Sequence, residues 1–417
     1  MKKIIDLNEN TTCYLHTLEN GLRIFLVPNK KRKRVIASYG IDFGSYNDHI
    51  IENNQELRIP GGVAHFLEHQ LFNQPDGVHA FDLYEKYGAA SNAYTSYNVT
   101  KYFFSTSANF KKNLKTLMEL VTIPWFKEKS VITERDIILQ EEKMWRDDPG
   151  TRIGDDITAL VFHENGIKTP ILGTKAAIKS TTVKDLYRCY EYFYTTKNMF
   201  MVIAGNFNPE EAIKLIEDYY VKIDVPTEDI KPPKVKEPDA VVQEKKIVQM
   251  EIEVPLFEFI YKIKINKDQL MQRACLSLMN KILFGKTSDW QEENKRTNLL
   301  KSWNSQFLYA KTHLLWNYYG KSEDYELAIS KFKEETLKPI PLEAFERAKK
   351  SLIATYMRSL DKTSYIEGKV FNNILQFGEI IDDIAILNEL DYNKFNQIRA
   401  ELDLSNSCYM VIKPKKK

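Results

Sequence analysis

Cysteine is scarce in this chain: four in 417 residues, at Cys13, Cys189, Cys275 and Cys408. None lies in C-x-x-C spacing, which excludes a disulfide framework and a cysteine metal knuckle. They read as buried free thiols of a reducing compartment, so the expected location is the cytoplasm. Long apolar runs are missing too, and without a stretch of about 20 apolar residues no transmembrane helix is expected. At the N-terminus Ile4-Ile5 is followed at once by Asp6, Asn8 and Glu9, so no signal peptide is expected. No sign of charge dominates: Lys+Arg 59 against Asp+Glu 57 gives +2, which implies no nucleic-acid partner. The basic run Lys30-Lys31-Arg32-Lys33-Arg34 reads as a solvated loop between two strands. Gly285-Lys286-Thr287-Ser288 mimics the end of a phosphate-binding loop. Asn280 stands five residues before Gly285, where that loop needs glycine, so the segment reads as a helix C-cap and turn.

Histidine is also rare, seven in the chain, yet two of them fall in His65-Phe66-Leu67-Glu68-His69. On a helix, His65 and His69 are four residues apart and project from one face. Two imidazoles with an open position can hold Zn²⁺, and an adjacent unligated carboxylate, Glu68, can take a proton from water. The plainer reading is a helix with two polar-face histidines. One ligand is missing, and a carboxylate on another helix is the expected source. Glu134 and Glu141 are seven residues apart, two helical turns, and share a face. Alone, such a pair is a solvated face; beside the histidine motif, Glu141 is the candidate third ligand. Ile137, Ile138 and Met144 form a stripe expected to dock this helix on the core.

Several motifs, taken in order, resemble the pitrilysin/insulysin family of inverzincin (M16) peptidases. They are most similar to the half-length bacterial members related to the mitochondrial processing peptidase. Asn20-Gly21-Leu22-Arg23-Ile24 with Val27-Pro28 resembles the family's opening strand. Gly61-Gly62-Val63-Ala64 before His65 resembles the lead-in to its zinc helix, and Ser91-Asn92-Ala93-Tyr94-Thr95 the strand that meets substrate backbone. Glu134 through Glu141 matches its paired glutamates; Leu172-Gly173-Thr174 and Asn198-Met199 through Gly205 match later landmarks. The resemblance covers most of residues 14–220 and is diffuse beyond them. It implies that His65, His69 and Glu141 are zinc ligands, that Glu68 is the general base, and that Glu134 is a second carboxylate supporting the site. It also implies that Ser91, Asn92 and Ala93 bind substrate.

The hydrophobic fraction of 43% is ample for buried cores, and the length fits two or three domains. The pattern is α+β. Strands are expected at Leu22–Val27, Val35–Asp42, Ser91–Tyr97, Thr100–Thr106 and Phe200–Ala204, and helices at Gly61–Phe72, Phe81–Tyr87, Val131–Trp145 and Thr182–Tyr194, with a turn at Pro149-Gly150. Pro226, Pro232, Pro233 and Pro238 among charges mark residues 225–240 as a linker. Beyond it, Val248, Met250, Ile252 and Val254 alternate as a strand, and helices are expected near 268–282 and 341–358. Tyr409-Met410-Val411-Ile412 echoes Phe200-Met201-Val202-Ile203 at an offset of 410 − 201 = 209 residues. With the resemblance, this gives two similar domains, each a mainly antiparallel sheet packed with helices: a zinc-binding peptidase domain at 1–224 and a domain of similar fold without the metal motif at 241–417.

Active family members carry an Arg–Tyr pair in the C-terminal half, contacting substrate and the carbonyl oxyanion. The corresponding stretch, Phe284 to Phe307, offers Lys295, Arg296 and Trp303 without that pair. The expectation is therefore a zinc-dependent endopeptidase cleaving peptides or unfolded segments, acting as the catalytic subunit of a heterodimer. A homologous partner would supply the Arg–Tyr pair; a homodimer, or Arg296 serving in that role, are the alternatives within this reading. The competing class is a non-catalytic peptide-binding or scaffold subunit, against which the complete ligand set with its base argues.

Overall fold

Strand Met199–Gly205 reads MFMVIAG and is buried at every position, as a strand covered on both faces must be. In the computed structural model, which describes residues 1–8, 11–52, 55–75, 77–230 and 235–415, it lies at the centre of a seven-stranded sheet. The spatial order is Lys2–Asn8, Thr11–Thr17, Arg23–Pro28, Met199–Gly205, Val35–Ile41, Thr100–Thr106 and Ala89–Thr95. Met199–Gly205 runs parallel to Arg23–Pro28; all other pairings in the sheet are antiparallel. A second, five-stranded sheet has the order Lys245–Met250, Ser407–Pro414, Leu256–Lys264, His313–Lys321 and Ser302–Ala310. Its single parallel pairing joins Lys245–Met250 to Ser407–Pro414.

Strand for strand, the second sheet repeats the last five strands of the first. Ser407–Pro414 occupies the place of Met199–Gly205, which is why their sequences echo. The first sheet adds the N-terminal pair, which the sequence reading did not anticipate. The α+β architecture with two similar, mainly antiparallel domains holds.

One face of the seven-stranded sheet packs on helices Val63–Leu71, Phe110–Thr122, Val183–Phe193 and Pro209–Tyr220, through Phe66, Leu67, Leu117, Leu186 and Ile216. The other face carries Phe25, Val27, Phe200 and Val202 and is covered by helix Thr363–Phe377 through Ile366, Val370, Phe371 and Ile374. Gly40 permits this approach, since a Cβ there would lie 2.7 Å from the Phe371 ring. Between sheet and helix, Lys101 Nζ lies 2.9 Å from Glu367 Oε1, with both side chains buried, and Ser38 Oγ donates to the same carboxylate at 2.5 Å.

Residues therefore group differently from the expected division. One compact unit contains residues 1–143, 169–234 and 359–381; the other contains 144–168, 235–358 and 382–417. The expected contiguous segments 1–224 and 241–417 are corrected accordingly: each unit takes a helical segment from the other's stretch of chain, because its sheet has a second apolar face to bury. Pro149-Gly150 is not a turn. Pro149 sits at the first position of helix Pro149–Val161, where proline needs no N–H, and Asp148 caps that helix. The helix packs on the second face of the five-stranded sheet.

The expected linker at 225–240 spans the point, 234 to 235, where the chain passes from the first unit to the second. Residues 231–234, with Pro232 and Pro233, lie outside the described residues. Glu237 is held by Lys262 Nζ at 2.7 Å, with both side chains 0% exposed, and accepts the backbone N–H groups of His163, Glu164 and Asn165. Strand Lys245–Met250 stops before Ile252 and Val254, and the next strand starts after Pro255. Among the described residues no helix is long and apolar enough to cross a membrane.

Candidate metal and peptide site

The histidine helix, Val63–Leu71, begins at Gly62, whose φ of 85° suits glycine. A Cβ on Gly62 would meet the Leu172 carbonyl oxygen at 2.1 Å, and one on Gly173 (φ 79°) would meet that of Gly61 at 2.1 Å. Two sequence landmarks about a hundred residues apart are thus one backbone-to-backbone contact that seats the start of this helix. Val63, Ala64, Phe66, Leu67 and Leu71 then bury it, and carry His65 and Glu68 inside at 7% and 8% exposure.

The glutamate helix spans Glu128–Asp147. It buries Val131, Ile138 and Glu142, which are spaced seven and four residues apart. The expected docking stripe is right for Ile138 and wrong for Ile137 and Met144, which are 47% and 67% exposed. Those two lie on the stripe that carries Glu141, away from the core.

Glu141 Oε2 lies 3.8 Å from His65 Nε2 and 3.7 Å from His69 Nε2, and one donor atom from each of the three residues falls within 4.8 Å of the others. Tetrahedral Zn²⁺ with bonds of about 2.0–2.2 Å needs donors roughly 3.3–3.6 Å apart, so a small contraction would suffice. His69 Nδ1 is 2.8 Å from Glu134 Oε1. In the neutral ring that a metal ligand requires, this contact places the proton on Nδ1 and leaves the Nε2 lone pair facing Glu141.

The electrostatics suit a cation. Burial pushes His65 down to about 3, aided by His69, so its ring is neutral at physiological pH. Burial also lowers His69, but the hydrogen bond and charge of Glu134 more than offset it and leave this ring above its ordinary value. Glu68 is raised by burial, against the hydrogen bond from Thr95 and the charge of His69. Burial likewise raises Glu141, with Glu134 adding to the effect and His69 opposing it. Three carboxylates crowd two imidazoles, and a divalent ion would relieve that repulsion. The donors present therefore fit zinc.

Glu68 Oε2 accepts the Thr95 hydroxyl at 2.6 Å. Sequence reasoning missed this partner, although Thr95 was quoted within the strand motif. Thr95 ends strand Ala89–Thr95, the outermost strand of its sheet, and Ser91, Asn92 and Ala93 lie along that edge. Ser91 and Ala93 share the face of Thr95, while Asn92 points to the opposite face and is exposed. His79 accepts Phe81 N–H at the start of helix Ala80–Lys86 and stacks on Phe72. Arg296 is exposed on helix Asp289–Thr297, and Lys295 pairs with Glu292.

Residues 24–175 match the family model described as insulinase (peptidase family M16), and residues 180–352 match the peptidase M16 inactive domain. A Bacillus subtilis protein described as the uncharacterized zinc protease YmfH is 30% identical, over 97% of this chain and 97% of its own length. A probable mitochondrial-processing peptidase subunit beta from Arabidopsis thaliana is 30% identical over 50% of this chain and 38% of its own length. The crystal structure of a putative M16-like peptidase from Alicyclobacillus acidocaldarius shares the fold, with a TM-score of 0.90 at 24% identity, over 99% of this chain and 100% of that one.

Proposed function

This chain belongs to the insulinase (M16) peptidase family, and from that premise we propose that it is a zinc-dependent endopeptidase acting on peptides or unfolded segments. The observation that carries the proposal is the convergence of His65, His69 and Glu141 on one point, with Glu134 behind His69 and Glu68 on the same helix as both histidines. His65, His69 and Glu141 would hold the metal. A zinc ion there supplies Lewis acidity toward the scissile carbonyl and the attacking water.

Glu68 takes the proton from that water and delivers it to the leaving amine, its buried carboxylate held in place for both transfers. Glu134 orients His69 through Nδ1. A substrate adds as an extra strand along Ser91, Asn92 and Ala93, where backbone hydrogen bonds give affinity with loose sequence preference. Between Phe284 and Phe307 there is no tyrosine, which supports the reading of this chain as the metal-bearing subunit of a pair. A homologous partner would bring the missing Arg–Tyr pair.

Metal analysis and peptide hydrolysis test the site together. The purified chain should bind one zinc, and His65→Ala, His69→Ala or Glu141→Gln should each lower occupancy sharply. Glu68→Gln should keep the metal and lose hydrolysis. Full zinc retention in all three ligand variants would sink the ligand set, and equal zinc loss in Glu68→Gln and Glu141→Gln would mean that their roles are confused.

A further inference from the structure

The geometry points to Thr95 as a positioning residue for Glu68, so that the strand receiving the substrate also aims the base. This rests on the reading of Glu68 as that base. The Thr95 hydroxyl has one strong outlet. Its neighbour across the hairpin, Thr100, donates its own hydroxyl to the Phe43 carbonyl at 2.9 Å, and the two hydroxyl oxygens are 3.4 Å apart. The Thr95 proton therefore goes to Glu68, at 2.6 Å. Thr95 and Thr100 are both buried, at 9% and 0% exposure, so water does not replace either bond cheaply.

The hairpin that presents Thr95 is fixed from outside. Ser45 N–H donates to the Ser96 carbonyl at 3.1 Å and Tyr46 N–H to that of Tyr97 at 2.6 Å. Gly44 is pressed so closely against this turn that a Cβ would lie 2.4 Å from the Ser96 oxygen. The turn thus places the Thr95 hydroxyl on the base, beside a weaker backbone hydrogen bond from the same residue that Thr95→Val would keep. The hydroxyl acts from the end of the edge strand whose backbone would bind the peptide, while the metal donors are held by the histidine and glutamate helices, with Glu134 on His69. The expected signature is a defect in turnover, with metal binding and substrate affinity spared.

The test compares Thr95→Val, which keeps the shape and removes the hydroxyl, with Thr95→Ser and Glu68→Gln in the full zinc-loaded chain. Single-turnover hydrolysis of a quenched, unstructured peptide is followed over a range of enzyme concentrations, zinc retention by chelator competition, and the Glu68 side chain by crystallography. Thr95→Val should lower the saturating rate by about 10- to 100-fold, the loss expected for a hydrogen bond to a charged group. Half-saturation and zinc retention should stay near wild type, and Thr95→Ser should regain most of the rate. In the Thr95→Val crystal Glu68 should leave its wild-type rotamer.

An unmoved Glu68 overturns the proposal even if no hydrolysis is measurable. So does a wild-type saturating rate in Thr95→Val while Glu68→Gln is inactive, or a defect confined to half-saturation or to zinc loss. Full activity in Glu68→Gln instead overturns the base assignment made above.

Discussion

Glu258 shows what one buried carboxyl does to the pH response of this chain. It is 5% exposed on strand Leu256–Lys264 and accepts the Asn317 amide at 2.6 Å. Burial pushes it up to about 7, only partly opposed by Asn317. Because the folded value is raised, the native state holds a proton that the unfolded chain releases above about 4.5. Its stabilising contribution is full below that pH and is lost as pH rises toward 7. Glu258→Gln should therefore leave the melting temperature nearly unchanged at pH 4 and raise stability at pH 8 by on the order of 1–3 kcal/mol. Calorimetry at the two pH values checks this, and an equal effect at both would refute it. At this scale the sequence was most legible where spacing is short. A spacing of four residues from His65 to His69, and of seven from Glu134 to Glu141, encodes a shared helical face. The Thr95–Glu68 contact joins a strand end to a helix, and no local period marks it.

Among the elements, the histidine helix depends on its glycine seat. Gly62→Ala would force a non-glycine residue to φ 85° and press a methyl group against the Leu172 carbonyl. Left-handed strain alone costs about 1–3 kcal/mol, and the contact adds to it. Gly62→Ala and Gly173→Ala should each lower the melting temperature and loosen zinc, whereas Gly77→Ala meets no atom within 4 Å and should do neither to the same extent. Thermal melts with zinc analysis decide, and three alike variants would rule out the seat. Element type was readable because patterns were strong: the all-apolar Met199–Gly205 and the amphipathic Val183–Phe193 were found within a residue or two. Pro149 was misread because proline punctuates turns and starts helices equally well. Which stripe of the glutamate helix meets the core was half-misread, since apolar residues stand on both sides of it.

For the whole molecule, the proposed dependence on a partner's Arg–Tyr pair sets the expected behaviour of the isolated chain. Oxyanion donors contribute a factor of about 10²–10³ in rate, so the zinc-loaded chain alone should be slow and a homologous partner should restore turnover. Peptide hydrolysis with and without that partner, over a range of chain concentrations, checks it. Partner-independent turnover at ordinary peptidase rates would refute it, and loss of that turnover in Arg296→Ala would show that Arg296 fills the role. Two similar domains were expected from the family resemblance and a single echo, Phe200–Ile203 in Tyr409–Ile412, but the strand-for-strand repeat was not legible. Nor was the exchange of segments between units, because Ile366, Val370, Phe371 and Ile374 look like the stripe of any core helix. Nothing in that stripe says which sheet it will cover.

That exchange gives the order of synthesis a consequence. The central strand ends at Gly205, and the helix covering the second face of its sheet ends at Phe377, 377 − 205 = 172 residues later. At about 5–20 residues per second, a ribosome needs roughly 10–35 s to cross that gap. Throughout it the nascent chain carries every proposed metal donor, the last being Glu141, while Phe25, Val27, Phe200 and Val202 of the sheet still lack their cover. A translation pause or truncation before residue 359 would thus deliver a client for chaperones, with its chemistry already spelled out and its fold unfinished.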